Sequence, residues 1–341
     1  GVTWEDLVEL DHRTPAPWDY LSEVFLTWCR RGVDGFRCDA GYKVPMPAWR
    51  YITSRVRREF PETLFLLEGL GGSWDATEEL LTVGGMQWAY SELFQNYSGA
   101  QVAHYLDYAI HQNRRVGVYV HYSETHDNDR LAKGGRAWSL LRNRLCGLTS
   151  QSGGFGFTSG VEWLATEKID VHGSAGMSWG SQDNIVSELA TLNRLLGDHP
   201  CFFDNAKLTR LSGHDSPVYA LRRESSEGTD RVLVLVNTDL RQRHSFVLDA
   251  MNQRDFGRLE IDLLGQSFLT ASPAADGSVQ FTIEPGACHC LAAQAQPRGL
   301  SGAAYRRTRA AAAWAVTALN RILPLEKIGS APWLHLAEQA T

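Results

Sequence analysis

Over the first two hundred residues, apolar and polar positions follow a repeating grammar. A short apolar or β-branched run with glycine at an edge precedes an amphipathic stretch. The runs VDGFRCD (33–39), LFLLE (64–68), MQWAYS (86–91), VGVYVHYS (116–123) and FGFT (155–158) read as strands. Helices are predicted near 48–60, 74–81, 99–113, 130–146 and 182–196. An earlier helix over 17–31 has Thr14 as its cap and prolines at its start. Near-continuous apolar strands alternating with helices predict a parallel sheet buried on both faces.

Near residue 200 the pattern changes. Segments 218–222, 231–237, 245–248, 258–262 and 279–283 are strand-like, separated by polar turns such as ESSEGTD and AADG, with no helical signal between them. That predicts an antiparallel β domain of about ninety residues. After Pro297, the Ala-rich stretch 303–323 carries arginines early and stops before Pro324, which reads as one helix. Its broad apolar face suits docking on another domain better than lying on a membrane surface. The expected division is a barrel portion over 1–201, a β-sandwich over 202–296 and a helical extension over 297–341.

Composition narrows the function classes. The chain has 341 residues, 43% of them hydrophobic and 21% charged, enough for a sizeable core and two domains. Its 33 basic and 39 acidic residues leave a net charge of −6, so no nucleic-acid partner is expected. No apolar run reaches the roughly 18–20 residues that cross a bilayer, so no membrane partner is expected either. The opening GVTWEDLVELDH is unlike a secretory signal and does not begin with Met, which suggests either processing or an upstream part of the same polypeptide. Six cysteines form no C-x-x-C pair and read as buried free thiols of a reducing, cytoplasmic setting. Cys288-His289-Cys290 is expected to pack in the β domain, and Trp49, Trp74, Trp88 and Trp163 to pack in cores rather than stack on sugars.

Acidic residues at strand ends carry the chemistry. Asp39 closes the first predicted strand, Glu68 the second, and Asp127 follows the fourth. In parallel α/β folds, residues at carboxyl ends of strands converge over the sheet. Glu68 follows Phe65, Leu66 and Leu67, an apolar setting that favours a protonated carboxyl. Arg37 lies two residues before Asp39, hence on the same strand face, and a guanidinium there favours the carboxylate. One carboxyl poised as acid and one held as anion is what retaining glycoside hydrolysis needs. A single such residue is more often structural than catalytic; three in order change the balance.

These residues resemble the α-amylase family of glycoside hydrolases. GFRCDAGYK (35–43) is similar to its nucleophile motif, FLLEG (65–69) to its acid/base strand, and ETHDN (124–128) to its His-Asp motif; the lead-in DLVELDHRTP also matches. The resemblance covers about residues 4–295. It implies a (β/α)8 TIM barrel of which only about strands 4–8 lie in this chain, followed by an antiparallel all-β domain and a C-terminal helix. It also implies Asp39 as nucleophile, Glu68 as acid/base, Asp127 as transition-state stabiliser, and Arg37, His126, Tyr42, Lys43 and Asn128 as substrate-binding residues. The implied substrate is an α-glucan or maltooligosaccharide of glycogen or starch metabolism, with hydrolysis or transglycosylation left open. The family's first Asp motif would lie upstream, and the Lys-His pair after the nucleophile is altered, Val44 following Lys43. No cofactor or metal is therefore expected here, and calcium is compatible only with the upstream part. KVPMPAW (43–49) resembles the maltosyltransferases of glycogen metabolism, so a sugar-phosphate donor is one alternative. A catalytically incomplete glucan-binding fragment is the other.

Overall fold

The computed structural model describes residues 5, 7–170, 173, 176–203, 206–328 and 332–340. Asp6, in the lead-in, lies outside them. Two compact units divide the chain, one of residues 1–97, 101–125 and 154–157, the other of 98–100, 126–153 and 158–341.

In the first unit a parallel sheet runs in sequence order through β1 (Gly35–Cys38), β2 (Leu64–Leu67), β3 (Trp88–Tyr90), β4 (Val118–Tyr122) and β5 (Phe155–Gly156). Helix α1 (Ala16–Arg30) leads into β1, and α2 (Met46–Glu59), α3 (Trp74–Thr82) and α4 (Gly99–Asn113) connect successive strands from β1 to β4. This is five consecutive strands of a (β/α)8 barrel. All five expected strands form, each shorter than its apolar run. One side of the sheet builds the core: Cys38, Phe65, Leu67, Ala89 and Tyr119 pack with Leu26, Ile52, Val56 and Leu80 from the helices.

Burial on both faces, expected of the strands, is found in β4, where Tyr119, Val120 and His121 are all buried, but not in β1 and β2. In β1, Gly35 and Arg37 are exposed and only Cys38 is buried; in β2, exposure alternates residue by residue. The face carrying Arg37 and Leu66 is the inner face of a barrel that these strands only partly enclose. Helix α1 begins at Ala16 after Pro15, without the side-chain cap expected from Thr14. Proline supplies the fixed φ and needs no donor there.

The second unit contains α5 (Arg136–Leu148), α6 (Val186–Asp198) and two antiparallel sheets. One has the order β10-β13-β8-β7-β6 and the other β11-β12-β9. The strands are β6 (Lys207–Arg210), β7 (Val218–Glu224), β8 (Arg231–Asn237), β9 (His244–Leu248), β10 (Ile261–Asp262), β11 (Thr270–Pro273), β12 (Val279–Ile283) and β13 (Cys288–Ala292). Val218, Ala220, Leu233 and Leu235 face Phe246, Leu248, Phe281 and Ile283 across the sandwich core. Contrary to the expectation of no helix here, α7 (Ala250–Phe256) forms, capped by Asp249, whose carboxylate accepts the amides of Met251 and Asn252. Phe256 then inserts into the core. Cys288-His289-Cys290 is a buried strand, as expected, with His289 paired to buried Asp262 at 2.7 Å. Helix α8 (Gly302–Asn320) packs on α10 (Trp333–Gln339), and α9 (Leu325–Ile328) lies between them in sequence. All six cysteines are buried free thiols.

Candidate active site

Register sets the site. β1 and β2 pair in parallel with Arg37 opposite Leu66 and Cys38 opposite Leu67. The ladder continues past both strands, the Glu68 amide donating to the Cys38 carbonyl (3.0 Å) and Gly41 to that of Glu68 (3.1 Å). Asp39 and Glu68 therefore leave neighbouring strand ends at one level and, by the two-residue period, on the inner face. Ala40 turns the chain there with φ 41° and ψ 39°, the left-handed region. That turn aims the Ala40 amide at Glu68 Oε2 (2.7 Å), while the Leu70 amide donates to Oε1 (3.0 Å). The apolar setting expected around the Glu68 carboxyl is corrected by these contacts: Phe65 and Leu67 point to the opposite face, and both oxygens are held by backbone amides.

Arg37 does what its spacing predicts. Its Nη1 donates to Asp39 Oδ1 at 2.5 Å. The Asp39 side chain stays 72% exposed, so a substrate can reach it. Burial works against the guanidinium charge, but the Asp39 hydrogen bond and Tyr90 outweigh it and hold Arg37 above its ordinary pKa. Tyr42 stands beside the two carboxylates. Partial burial, followed by the Glu68 and Asp39 charges, pushes its phenol up. Its ring is fenced by the loop after β2: a Cβ on Gly71 would come to 2.1 Å of the hydroxyl. Lys43 is exposed, with its ammonium 5.5 Å from the Tyr42 ring centre.

The first unit thus brings together Arg37, Asp39, Tyr42, Lys43 and Glu68. In the second unit, His126 Nε2 lies 3.5 Å from Asp127 Oδ2, the Asp127 side chain is 68% exposed, and Asn128 is exposed beside it. Sequence reasoning missed Tyr90 and Tyr122, which continue the inner face: Arg37 Nε donates to the Tyr90 hydroxyl (2.9 Å), and the two tyrosine rings stack at 4.1 Å. The signal was available, since Tyr90 is two residues beyond Trp88, and Trp88 pairs with inner-facing Leu66. Trp49 is a core residue, donating to the Gly41 carbonyl (2.8 Å). Trp74 stacks on Tyr108 at 4.0 Å.

No family model matches the chain. Curated relatives and solved structures do. The alpha-1,4-glucan:maltose-1-phosphate maltosyltransferase of Pseudomonas aeruginosa is 25% identical over 256 residues, covering 69% of this chain and 37% of that protein. The enzyme of the same name from Cereibacter sphaeroides is 24% identical over 71% of this chain and 43% of its own length. An Anoxybacillus α-amylase superposes with a TM-score of 0.68 at 17% identity, over 84% of this chain and 65% of that one. A Lactobacillus plantarum α-amylase gives 0.62 at 20%, over 84% and 69%. In sequence the chain is similar to these maltosyltransferases, and in fold to these α-amylases.

The chain spans about two fifths of the length of the first curated relatives it matches. Among its described residues no helix is long and apolar enough to cross a membrane.

Proposed function

We propose that this chain carries the catalytic carboxylates of a retaining α-glucan-active enzyme, cleaving α-glucosidic bonds by double displacement. The observation that carries the reading is the placement of Asp39 and Glu68 at one level of adjacent parallel strands, each held by its own donors. Asp39 attacks the anomeric carbon while Glu68 protonates the departing glycosidic oxygen, leaving a glycosyl-enzyme ester. Glu68, now a carboxylate, takes a proton from water or an acceptor sugar, which displaces Asp39. Asp127 stabilises the oxocarbenium-like state, Arg37 keeps Asp39 oriented, and His126, Tyr42, Lys43 and Asn128 contact the sugar. The proposed substrate is an α-glucan or maltooligosaccharide. The rest of the barrel is proposed to come from an upstream part of the same polypeptide, with a cytoplasmic place in glycogen or maltodextrin turnover. The division at 201 and 296 belongs to the same proposal.

In the full chain, Glu68→Gln is expected to lower maltooligosaccharide turnover by about a thousandfold or more while glucan binding persists. A parent chain that binds glucan without turning it over would favour the incomplete glucan-binding reading. The names of the curated relatives favour a second reading, in which the donor is a sugar phosphate. With maltose-1-phosphate as donor and a glucan as acceptor, that reading expects elongated glucan and inorganic phosphate, whereas a hydrolase releases free sugar.

A further inference from the structure

Resting on the reading of Asp39 as nucleophile, we infer that Tyr90 is a positioning residue that locks the Arg37 guanidinium and, through it, Asp39. Three contacts converge. The Tyr90 hydroxyl accepts Arg37 Nε–H at 2.9 Å while Nη1 of the same guanidinium donates to Asp39. The guanidinium carbon lies 5.4 Å from the Tyr90 ring centre, within cation–π range. Tyr122, from the next strand, backs that ring at 4.1 Å.

The geometry explains why such a clamp is needed. Arg37 sits on β1, which among the described residues pairs with β2 alone. Its side chain is only 31% exposed, yet Asp39 is open to solvent. An arginine has several rotatable bonds, and one hydrogen bond to an exposed carboxylate fixes few of them. A second bond, from Nε of the same planar fork whose Nη1 meets Asp39, fixes the plane. Tyr90 is itself braced by the stacked ring of Tyr122, whose phenol is pushed up by burial and by its hydrogen bond to Tyr90. Arg37 therefore offers Asp39 a preformed donor, and the carboxylate oxygen left free is the one presented for attack.

Tyr90→Phe keeps the stacked ring and removes only the acceptor, and two readouts test it in the full chain. The first needs no turnover: modification of Asp39 by a water-soluble carbodiimide with glycine ethyl ester, followed by peptide mass spectrometry and normalised to exposed Asp215. Freed from a fixed counter-ion, Asp39 should react roughly threefold faster or more in Tyr90→Phe. The second is turnover of α-maltosyl fluoride, whose leaving group does not need the Glu68 proton. Its kcat should fall roughly tenfold with KM within about twofold. Tyr90→Gln, which restores an oxygen acceptor, should recover part of both and guards against a Phe variant that fails to fold. Unchanged labelling overturns the inference whatever the turnover, as does faster labelling with unchanged kcat. Faster labelling in a chain whose parent is inert to the fluoride keeps the Tyr90 clamp and sinks the proposed function instead.

Discussion

Ala40 joins the two catalytic candidates through its backbone. A left-handed φ costs an alanine about 1–2 kcal/mol, because its Cβ crowds the following carbonyl. The cost is offset by what the turn achieves: the Ala40 amide meets Glu68 at 2.7 Å, and the chain leaves the strand directly after Asp39. Strain of this kind gathers at functional sites because the surrounding structure over-determines it. Glycine adopts this φ freely but loses more entropy on folding, so Ala40→Gly should change stability by less than about 1 kcal/mol in either direction. Valine, whose branched Cβ fits the region worst, should destabilise by about 2 kcal/mol relative to Ala40→Gly. Urea unfolding of both variants checks this; a valine variant as stable as the glycine one would show that the turn relaxes without cost.

At the scale of elements, the strands and helices were legible wherever a long period ran undisturbed. Helix α4 matches its predicted span, and β8 and β12 match theirs, because their apolar positions recur without interruption. Strands β6, β11 and β13 went unread for different reasons. β6 (KLTR) and β11 (TASP) carry little apolar signal and are specified by their pairing with β7 and β12. In β13 the Cys-His-Cys run masks the strand signal, because its residue types suggest a ligand cluster before a period. Helix α7 was signalled only by Asp249, a cap with too short a helix after it to show a period. The loop-to-strand passage after α6 was equally silent, and there His199 heads the single turn Pro200–Phe202 by accepting the Cys201 amide at 3.2 Å. Burial, with nearby Arg223 adding to it and Asp230 opposing, lowers its pKa from 6.5 to about 4. The unfolded chain then binds the extra proton between those values. The contribution is fully present above pH 6.5 and is lost as pH falls toward 4. Between pH 7 and pH 5 the parent should lose about 2 kcal/mol more than His199→Asn. Equal losses in paired denaturant titrations would mean that His199 protonates in place.

At the scale of the molecule, the order of the candidate residues along the chain is legible because Asp39 and Glu68 fall at strand ends, where motif and topology coincide; the contacts that support them are not, because they are tertiary. Tyr90 reads as one more aromatic in a strand, and Arg223 as a second arginine just past the strand predicted over 218–222, although it is fully buried. Arg223 donates through Nε to the Cys201 carbonyl (2.9 Å) and through Nη1 to those of Leu148 (2.9 Å) and Ser150 (2.8 Å). Its guanidinium lies 4.1 Å from the Phe202 ring centre. One side chain on β7 thus ties the end of α5 and the turn after α6 to the sandwich within the second unit. Burial lowers its pKa to about 10, which leaves it cationic at neutral pH. Two effects compete when it is replaced by a methionine of similar length. Removing a buried charge relieves desolvation, while three buried carbonyls lose their donors at about 1–3 kcal/mol each. Among the described residues no carboxylate bonds this guanidinium, so the carbonyls are its partners and their loss should prevail. Arg223→Met is expected to lower stability by about 3 kcal/mol. The shift should come with faster amide exchange around residues 148–151 and 201, where the orphaned carbonyls lie. An Arg223→Met protein with an unshifted denaturation midpoint would mean that the charge costs as much to bury as its three bonds return.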